Sequence, residues 1–329
     1  MRKQTTIRLA LVGALLTSLA AVGATSDENS ASPTLLVDSL HQAFGEHHAR
    51  AVHSKGVLLE GQFQSDAAAA ALSTSPLFTG GPVAVVARFS DFTGLPEIPD
   101  TAPEANPRGF AIKFKLPGGA TSDIVAHSFN GFPTATSAEF GELMRAIGAS
   151  GPKAAKPTSL DKFLESHPIA KSFLTSQKPA PVSYATLGYF GVNSFAFIDK
   201  TGRKQFVRYR FVPVSGEQYL DAKAVAGKSP DYLVNEIGTR VAKAPVKFDW
   251  YAQLSGPGDA IADPSVAWPE SRRLVKLGTI TLTRLVPDQA VADKTLMFLP
   301  GNLTAGIEPA DPMITIRSSA YPISFAGRQ

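Results

Sequence analysis

The chain has 329 residues, enough for one large domain or two of ordinary size. Hydrophobic residues make up 44% and charged residues 18%, a balance typical of globular proteins with a substantial core. The sequence contains no cysteine, which excludes disulfides, thiol nucleophiles, zinc fingers and iron–sulfur clusters.

The first 24 residues have the pattern of a secretory signal peptide. Arg2, Lys3 and Arg8 form a basic start, residues 9–24 are almost entirely apolar, and residues 22–24 (Val-Gly-Ala) suit a signal peptidase. The apolar run is short for a permanent anchor. We therefore expect cleavage, a periplasmic or secreted protein and no stable membrane insertion afterwards, with an uncleaved N-terminal anchor as the alternative.

Cleavage would also change the charge of the chain. It would remove three basic residues and no acidic one, and with them most of the formal net charge of +4. The mature chain then lacks the basic bias that indicates binding to nucleic acid, and we expect no nucleic-acid partner.

The remaining sequence predicts a short leader and one domain. Residues 25–34 predict a flexible leader, and residues 35–329, without internal repeat or break in composition, predict a single core. In chain order we expect a helix at 35–44, a helix at 64–73, strands at 82–89 and 110–116, helices at 137–147 and 160–175, strands at 188–198 and 205–212, a helix at 231–241, and strands at 246–254 and 274–285. The sum predicts an α+β protein with a large antiparallel sheet closed as a barrel.

Histidine is the first candidate for chemistry. The six histidines are His41, His47, His48, His53, His127 and His167. Three of them are close in sequence, but their spacing does not place them on one helix face, and no acidic or cysteine pattern accompanies them. We therefore do not expect a zinc site.

Five segments, in the same order along the chain, resemble segments of heme catalases. They are 50–56 (RAVHSKG), 86–90 (VARFS), 106–114 (NPRGFAIKF), 298–309 (FLPGNLTAGIEP) and 317–322 (RSSAYP). The resemblance runs from about residue 40 to the C-terminus. It implies a catalase core, with a closed antiparallel β-barrel and surrounding helices, and heme b as the cofactor.

The last segment resembles the motif that carries the axial ligand of the heme iron, which implies that Tyr321 is that ligand. Phenolate is a strong ligand for ferric iron, but free tyrosine has a pKa near 10. A nearby cation would therefore help, and Arg317 lies one turn before Tyr321 if the segment is helical. The alternative is a surface pair on a C-terminal helix.

The resemblance assigns roles to further residues. Arg50, Arg88 and Arg328 take the positions of the arginines that bind the heme propionates, a task suited to guanidinium forks. His53 takes the position of the distal acid/base, and Ser90 that of the hydroxyl that orients its imidazole.

One segment departs from the family pattern. Large catalases carry a distal asparagine in the phrase Asp-x-Val-Gly-Asn-Asn-x-Pro, whereas residues 123–130 here are DIVAHSFN. Alignment on Asp123 places Ser128 at the catalytic position, with His127 and Asn130 as neighbours. We expect Ser128 or Asn130 to contribute, although these residues could equally only line the pocket.

The chain is most similar to the catalase-related peroxidases, small and often exported members of the superfamily. This implies a peroxidase that reduces hydrogen peroxide or organic hydroperoxides with an external small-molecule reductant and has weak or no catalase activity. The chain ends soon after Tyr321, which argues against an interwoven tetramer but leaves a homo-oligomer possible. Two alternatives remain open: a fatty-acid hydroperoxide isomerase, and a heme-binding or heme-carrying protein with little turnover.

Overall fold

The computed structural model describes residues 31–329. The expected signal peptide lies outside these residues, as does the expected leader up to residue 30. The first helix begins at Pro33, after an N-cap at Ser32 whose side chain accepts a hydrogen bond from the Leu35 N–H. The last two residues of the expected leader therefore belong to a helix.

Nine strands and eight α-helices make up the described part of the chain. The strands are β1 (Gly56–Ser65), β2 (Val83–Ser90), β3 (Gly109–Lys115), β4 (Thr121–His127), β5 (Tyr189–Ile198), β6 (Lys204–Pro213), β7 (Val246–Leu254), β8 (Leu274–Leu285) and β9 (Ile307–Pro309). The helices are α1 (Pro33–Phe44), α2 (Ser137–Gly148), α3 (Ser159–Ser166), α4 (Pro168–Thr175), α5 (Ala222–Ala226), α6 (Tyr232–Lys243), α7 (Gln289–Thr295) and α8 (Pro312–Ala326). No helix among residues 31–329 is long and apolar enough to cross a membrane.

The strands form one antiparallel sheet that closes on itself. Their order is β4-β3-β2-β1-β8-β7-β6-β5, with β9 added beside β5. Pairing of His127 on β4 with Phe190 on β5 closes the eight-stranded barrel. The predicted α+β fold with a closed antiparallel barrel is confirmed.

Aromatic side chains fill the interior of the barrel. Phe89 stacks on Phe110 at 4.8 Å between ring centroids and on Tyr184 at 5.4 Å. Phe63 packs against the buried ring of Trp250 at 5.3 Å. Because large rings occupy this space, the barrel is a packed core, and a ligand site has to lie outside it.

Several sequence-based expectations differ from the structure. The helix expected at 64–73 is wrong: β1 runs to Ser65, and only a short 3₁₀ turn at Ala69–Ala71 follows. Strands β1, β4 and β9 and the short helices α5 and α7 were not expected. The helix expected at 160–175 is two helices, because Pro168 has no N–H with which to continue the hydrogen-bond ladder.

Candidate active site

A large cavity lies between the barrel wall and helices α1, α2 and α8. Its empty volume is about 1440 Å³ including its open mouth. The side chains around it are mostly apolar. The cavity brings together seven of the residues singled out from the sequence: Arg50, His53, Arg88, Ser90, Arg317, Tyr321 and Arg328.

His53 is held by the chain segments on both sides of it. It lies just before β1 with a left-handed backbone (φ 57°), and its N–H donates to the Phe92 carbonyl at 2.8 Å. Its Nδ1 is 3.1 Å from Ser90 Oγ at the end of β2, and its ring meets the Phe92 ring edge-on at 5.5 Å. The imidazole thus has a fixed orientation at the cavity wall, which a positioned acid/base requires.

The pair of His53 and Ser90 depends on a glycine in the neighbouring strand. Gly109 on β3 is paired with Ser90 on β2. A Cβ at Gly109 would lie 2.3 Å from Ser90 Oγ and 2.8 Å from His53 Nδ1. Any other residue would therefore displace both side chains. This glycine belongs to the NPRGF segment, but no role for it was predicted from the sequence.

The surroundings of His53 keep its ring neutral. Burial first, and then the nearby His127, Arg88 and Arg317, lower the pKa of His53 to about 3. A neutral imidazole can accept a proton at neutral pH, which is the first half of acid/base catalysis.

Tyr321 lies at the end of a hydrogen-bonded chain that begins on β5. Arg317 donates to the Tyr321 hydroxyl oxygen at 2.6 Å and to Asn193 Oδ1 at 2.5 Å. Asn193 in turn donates to Asp311, the N-cap of α8, at 2.7 Å. The guanidinium is thus held against the phenol oxygen. Asn193 and Asp311 were missed by the sequence reading, because no local pattern links them to Arg317.

Three arginines meet at one end of the cavity. The carboxylate of Asp293 on α7 pairs with Arg50 and, at 2.6 Å, with Arg88. Arg328 donates to the Leu296 carbonyl at 2.6 Å, while its buried Nε has no hydrogen-bond partner. Asp293 is a further residue that the sequence did not reveal.

The positive charge of this cluster is only partly compensated. Burial lowers the pKa of Arg50 to about 8 and that of Arg328 to about 10, and Arg88 lowers both further by repulsion. Three guanidiniums beside one carboxylate favour an additional anion, and a ligand with two carboxylates suits them.

Ser128 and Asn130, the residues expected on the distal side, do not line the cavity. Ser128 is buried outside the cavity lining, and its hydroxyl accepts from the Arg108 N–H at 2.9 Å. Asn130 does not line the cavity either. His127, the last residue of β4, does. Residues alternate between the two faces of a strand, and the hydroxyl of Ser128 is already committed to the backbone.

The donors around the cavity fit a heme. The arginine cluster suits two propionates, the apolar walls suit a porphyrin, and Tyr321 with Arg317 suits a ferric iron. A group with two negative charges would balance the charge of the arginine cluster and accept a hydrogen bond from the unpartnered Arg328 Nε–H.

Comparison with known proteins agrees with this geometry. The family model described as Catalase matches residues 32–328. The chain belongs to the catalase family. Among curated relatives, a catalase-related peroxidase of Mycolicibacterium paratuberculosis is 36% identical over 298 residues, covering 89% of this chain and 93% of the relative. A catalase-related peroxidase of Synechococcus elongatus is 35% identical, covering 97% and 93%.

Solved catalases share the fold. A fungal catalase superposes with a TM-score of 0.76 at 22% identity, and catalase A from Saccharomyces cerevisiae with 0.76 at 20%. The match covers 85% of this chain but only 59% and 61% of those two chains. This catalase-family chain thus has the core of the solved catalases without a large part of their length.

Proposed function

We propose that this protein is a heme-dependent peroxidase that reduces hydrogen peroxide or organic hydroperoxides at the expense of an external small-molecule donor. The observation that carries the proposal is the convergence of two pairs in one cavity. Arg317 donates to the Tyr321 oxygen at 2.6 Å, and Ser90 lies 3.1 Å from the His53 imidazole. A catalase-family chain with both pairs has what a Tyr-ligated heme and a distal acid/base require.

Each group has a distinct task in this proposal. Tyr321 would hold the iron, and Arg317 would donate a hydrogen bond to its oxygen. Arg50, Arg88 and Arg328 would bind the propionates. When bound, the heme supplies the redox centre through which two electrons pass from the donor to the peroxide.

His53 moves the proton that cleavage of the peroxide bond needs. Its neutral ring takes the proton from one oxygen of the hydroperoxide and delivers it to the other, which leaves as water or an alcohol. In total the donor supplies two electrons and two protons, so that the hydroperoxide becomes an alcohol and water. Ser90 and Gly109 keep the ring in the position for this transfer.

One feature supports weak or absent catalase activity. The asparagine phrase of large catalases is replaced by residues 123–130. A different distal wall favours organic reductants and organic hydroperoxides over a second hydrogen peroxide.

One set of assays separates this proposal from its alternatives. The mature chain is expressed, loaded with heme b and mixed with a phenolic donor. Bleaching or coloration of the donor only after peroxide is added supports a peroxidase. Bound heme without donor oxidation would indicate a carrier. Conversion of a fatty-acid hydroperoxide to an isomeric product of unchanged oxygen content would indicate an isomerase.

We also propose that the protein is exported, periplasmic or secreted, after cleavage near residue 24. The basic start and short apolar run support this. N-terminal sequencing of protein from the exported fraction tests it. A chain that keeps Met1 and stays with the membranes would contradict it.

A further inference from the structure

His127 is a polar side chain of the cavity wall that the proposed function leaves without a task. Two serines of the wall, Ser137 and Ser324, accept hydrogen bonds from backbone N–H groups. It ends β4 and lines the cavity, where its ring lies against Phe132 at 6.5 Å and Phe173 at 6.2 Å. Its Nε2 is buried and has no hydrogen-bond partner. An unsatisfied buried polar group is destabilising, so a ligand that pairs with it gains affinity.

The backbone fixes which ring nitrogen carries the proton. The Phe129 N–H donates to His127 Nδ1 at 3.3 Å, so Nδ1 is an acceptor. In a neutral imidazole the other nitrogen then carries the hydrogen. Burial lowers the pKa of His127 to about 3, with a further contribution from Arg317, which keeps the ring neutral. Nε2–H is therefore a donor.

His53 lies beside His127 at the cavity wall. Gly109 pairs with His127 in the sheet, and a Cβ at Gly109 would lie 2.8 Å from His53 Nδ1. Nδ1 of His53 faces Ser90 Oγ at 3.1 Å, which leaves its other ring nitrogen, Nε2, for a ligand in the cavity. When Ser90 accepts from Nδ1–H, Nε2 presents a lone pair.

We infer that His127 is the distal hydrogen-bond donor of this enzyme. It binds an oxygen of the hydroperoxide through Nε2–H while His53 accepts the proton. This inference rests on the proposed function, and it names a ligand contact within the same site. The sequence suggested the Ser128 hydroxyl for this role, whereas the inference gives it to the imidazole of the neighbouring His127.

Cyanide is the probe for the test, because it binds ferric heme from HCN and loses its proton as it does so. A base such as His53 speeds the loss of the proton from HCN, whereas a hydrogen-bond donor such as His127 stabilises the bound cyanide anion. In heme-loaded His127→Leu we expect an unchanged heme content and a Kd for cyanide raised about tenfold to a hundredfold, the range of a hydrogen bond to a charged group. The change should lie in the dissociation rate, and His127→Gln, which keeps an amide donor, should restore most of the affinity.

Exposed His47 provides the matched control, and His47→Gln should bind cyanide like the wild type. Wild-type cyanide binding in His127→Leu would overturn the inference. A low-spin wild-type spectrum that becomes high-spin in His127→Leu would do so too, because His127 would then bind the iron. Failure of the wild type to take up heme would instead refute the proposed function and this inference with it. Independently of any variant, ¹⁵N NMR of the wild type should show His127 protonated at Nε2, and protonation at Nδ1 would overturn the assignment.

Discussion

The close approach at Gly109 gives a prediction that tests the positioning of the distal base. In Gly109→Ala the new Cβ would stand 2.3 Å from Ser90 Oγ and 2.8 Å from His53 Nδ1. Relief requires a shift of about 1 Å, and misplacement by that distance costs a catalytic group about 10²-fold in rate. We expect the heme content to stay at the wild-type level, because Tyr321 and the arginines are untouched.

The assay is stopped-flow spectroscopy of the heme-loaded protein after peroxide is added. The rate of the first spectral change should fall about 10²-fold in Gly109→Ala. Gly81→Ala is the matched control, since its Cβ would meet nothing within 4 Å. In the double variant Gly109→Ala/Ser90→Ala the nearest contact is removed, but the one with His53 remains, so the rate should recover only in part. A wild-type rate in Gly109→Ala with full heme content would refute the role of the strand in holding His53.

Three further predictions concern the other parts of the site. Tyr321→Phe should lose most of its bound heme, because the anionic ligand is gone, and undiminished heme content by absorption would remove Tyr321 from the iron. His53→Ala should keep heme but react with peroxide about 10²–10⁴-fold more slowly, and a wild-type rate there would exclude it as the acid/base. Asp293→Asn should destabilise the heme-free protein by ~1 kcal/mol, a value reduced for solvent screening because the Asp293 side chain is 36% exposed. It should destabilise the heme-loaded protein by less, because the propionates replace the lost anion. Although burial raises the pKa of Asp293, Arg88 and Arg50 hold it below its ordinary value. The stabilisation that Asp293 provides should therefore be present above about pH 4, the ordinary carboxylate pKa. It should be lost as the pH falls through the lower pKa that Asp293 has in the folded protein. The free energies of unfolding of the heme-free and heme-loaded proteins, measured by chemical denaturation at a series of pH values, test this. An equal loss of stability in Asp293→Asn with and without heme would contradict the propionate assignment.

The sequence predicted the elements whose pattern is local. The strands expected at 188–198 and 246–254 differ by at most one residue from β5 and β7. Strand β1 was missed because it lies between β2 and β8 and is buried on parts of both faces, so its residues do not alternate cleanly. The Ala-rich stretch after it has a helical propensity that tertiary pairing overrides.

Only the site residues that belong to short sequence motifs could be predicted. Segments such as RSSAYP name Tyr321 and Arg317 within one helical turn. Asn193, which holds Arg317, is 124 positions away, and Asp293 is 205 positions from Arg88. Such pairs depend on how the barrel and helices meet, and a single sequence carries no signal for them.

The same limit explains the distal wall. The two adjacent asparagines of the family phrase align with His127 and Ser128. The alignment does not say which of these two side chains faces the cavity, and Ser128 was chosen. The strand end places His127 there and gives the Ser128 hydroxyl a backbone partner instead.

The measurement that tests the central claim most directly is the fate of hydrogen peroxide with and without a reductant. The mature, heme-loaded protein is followed with an oxygen electrode while oxidation of a phenolic donor is recorded by absorbance. The account predicts that peroxide consumption requires the donor and yields little oxygen. Rapid oxygen evolution without a donor, undiminished when the donor is added, would show a catalase and contradict it.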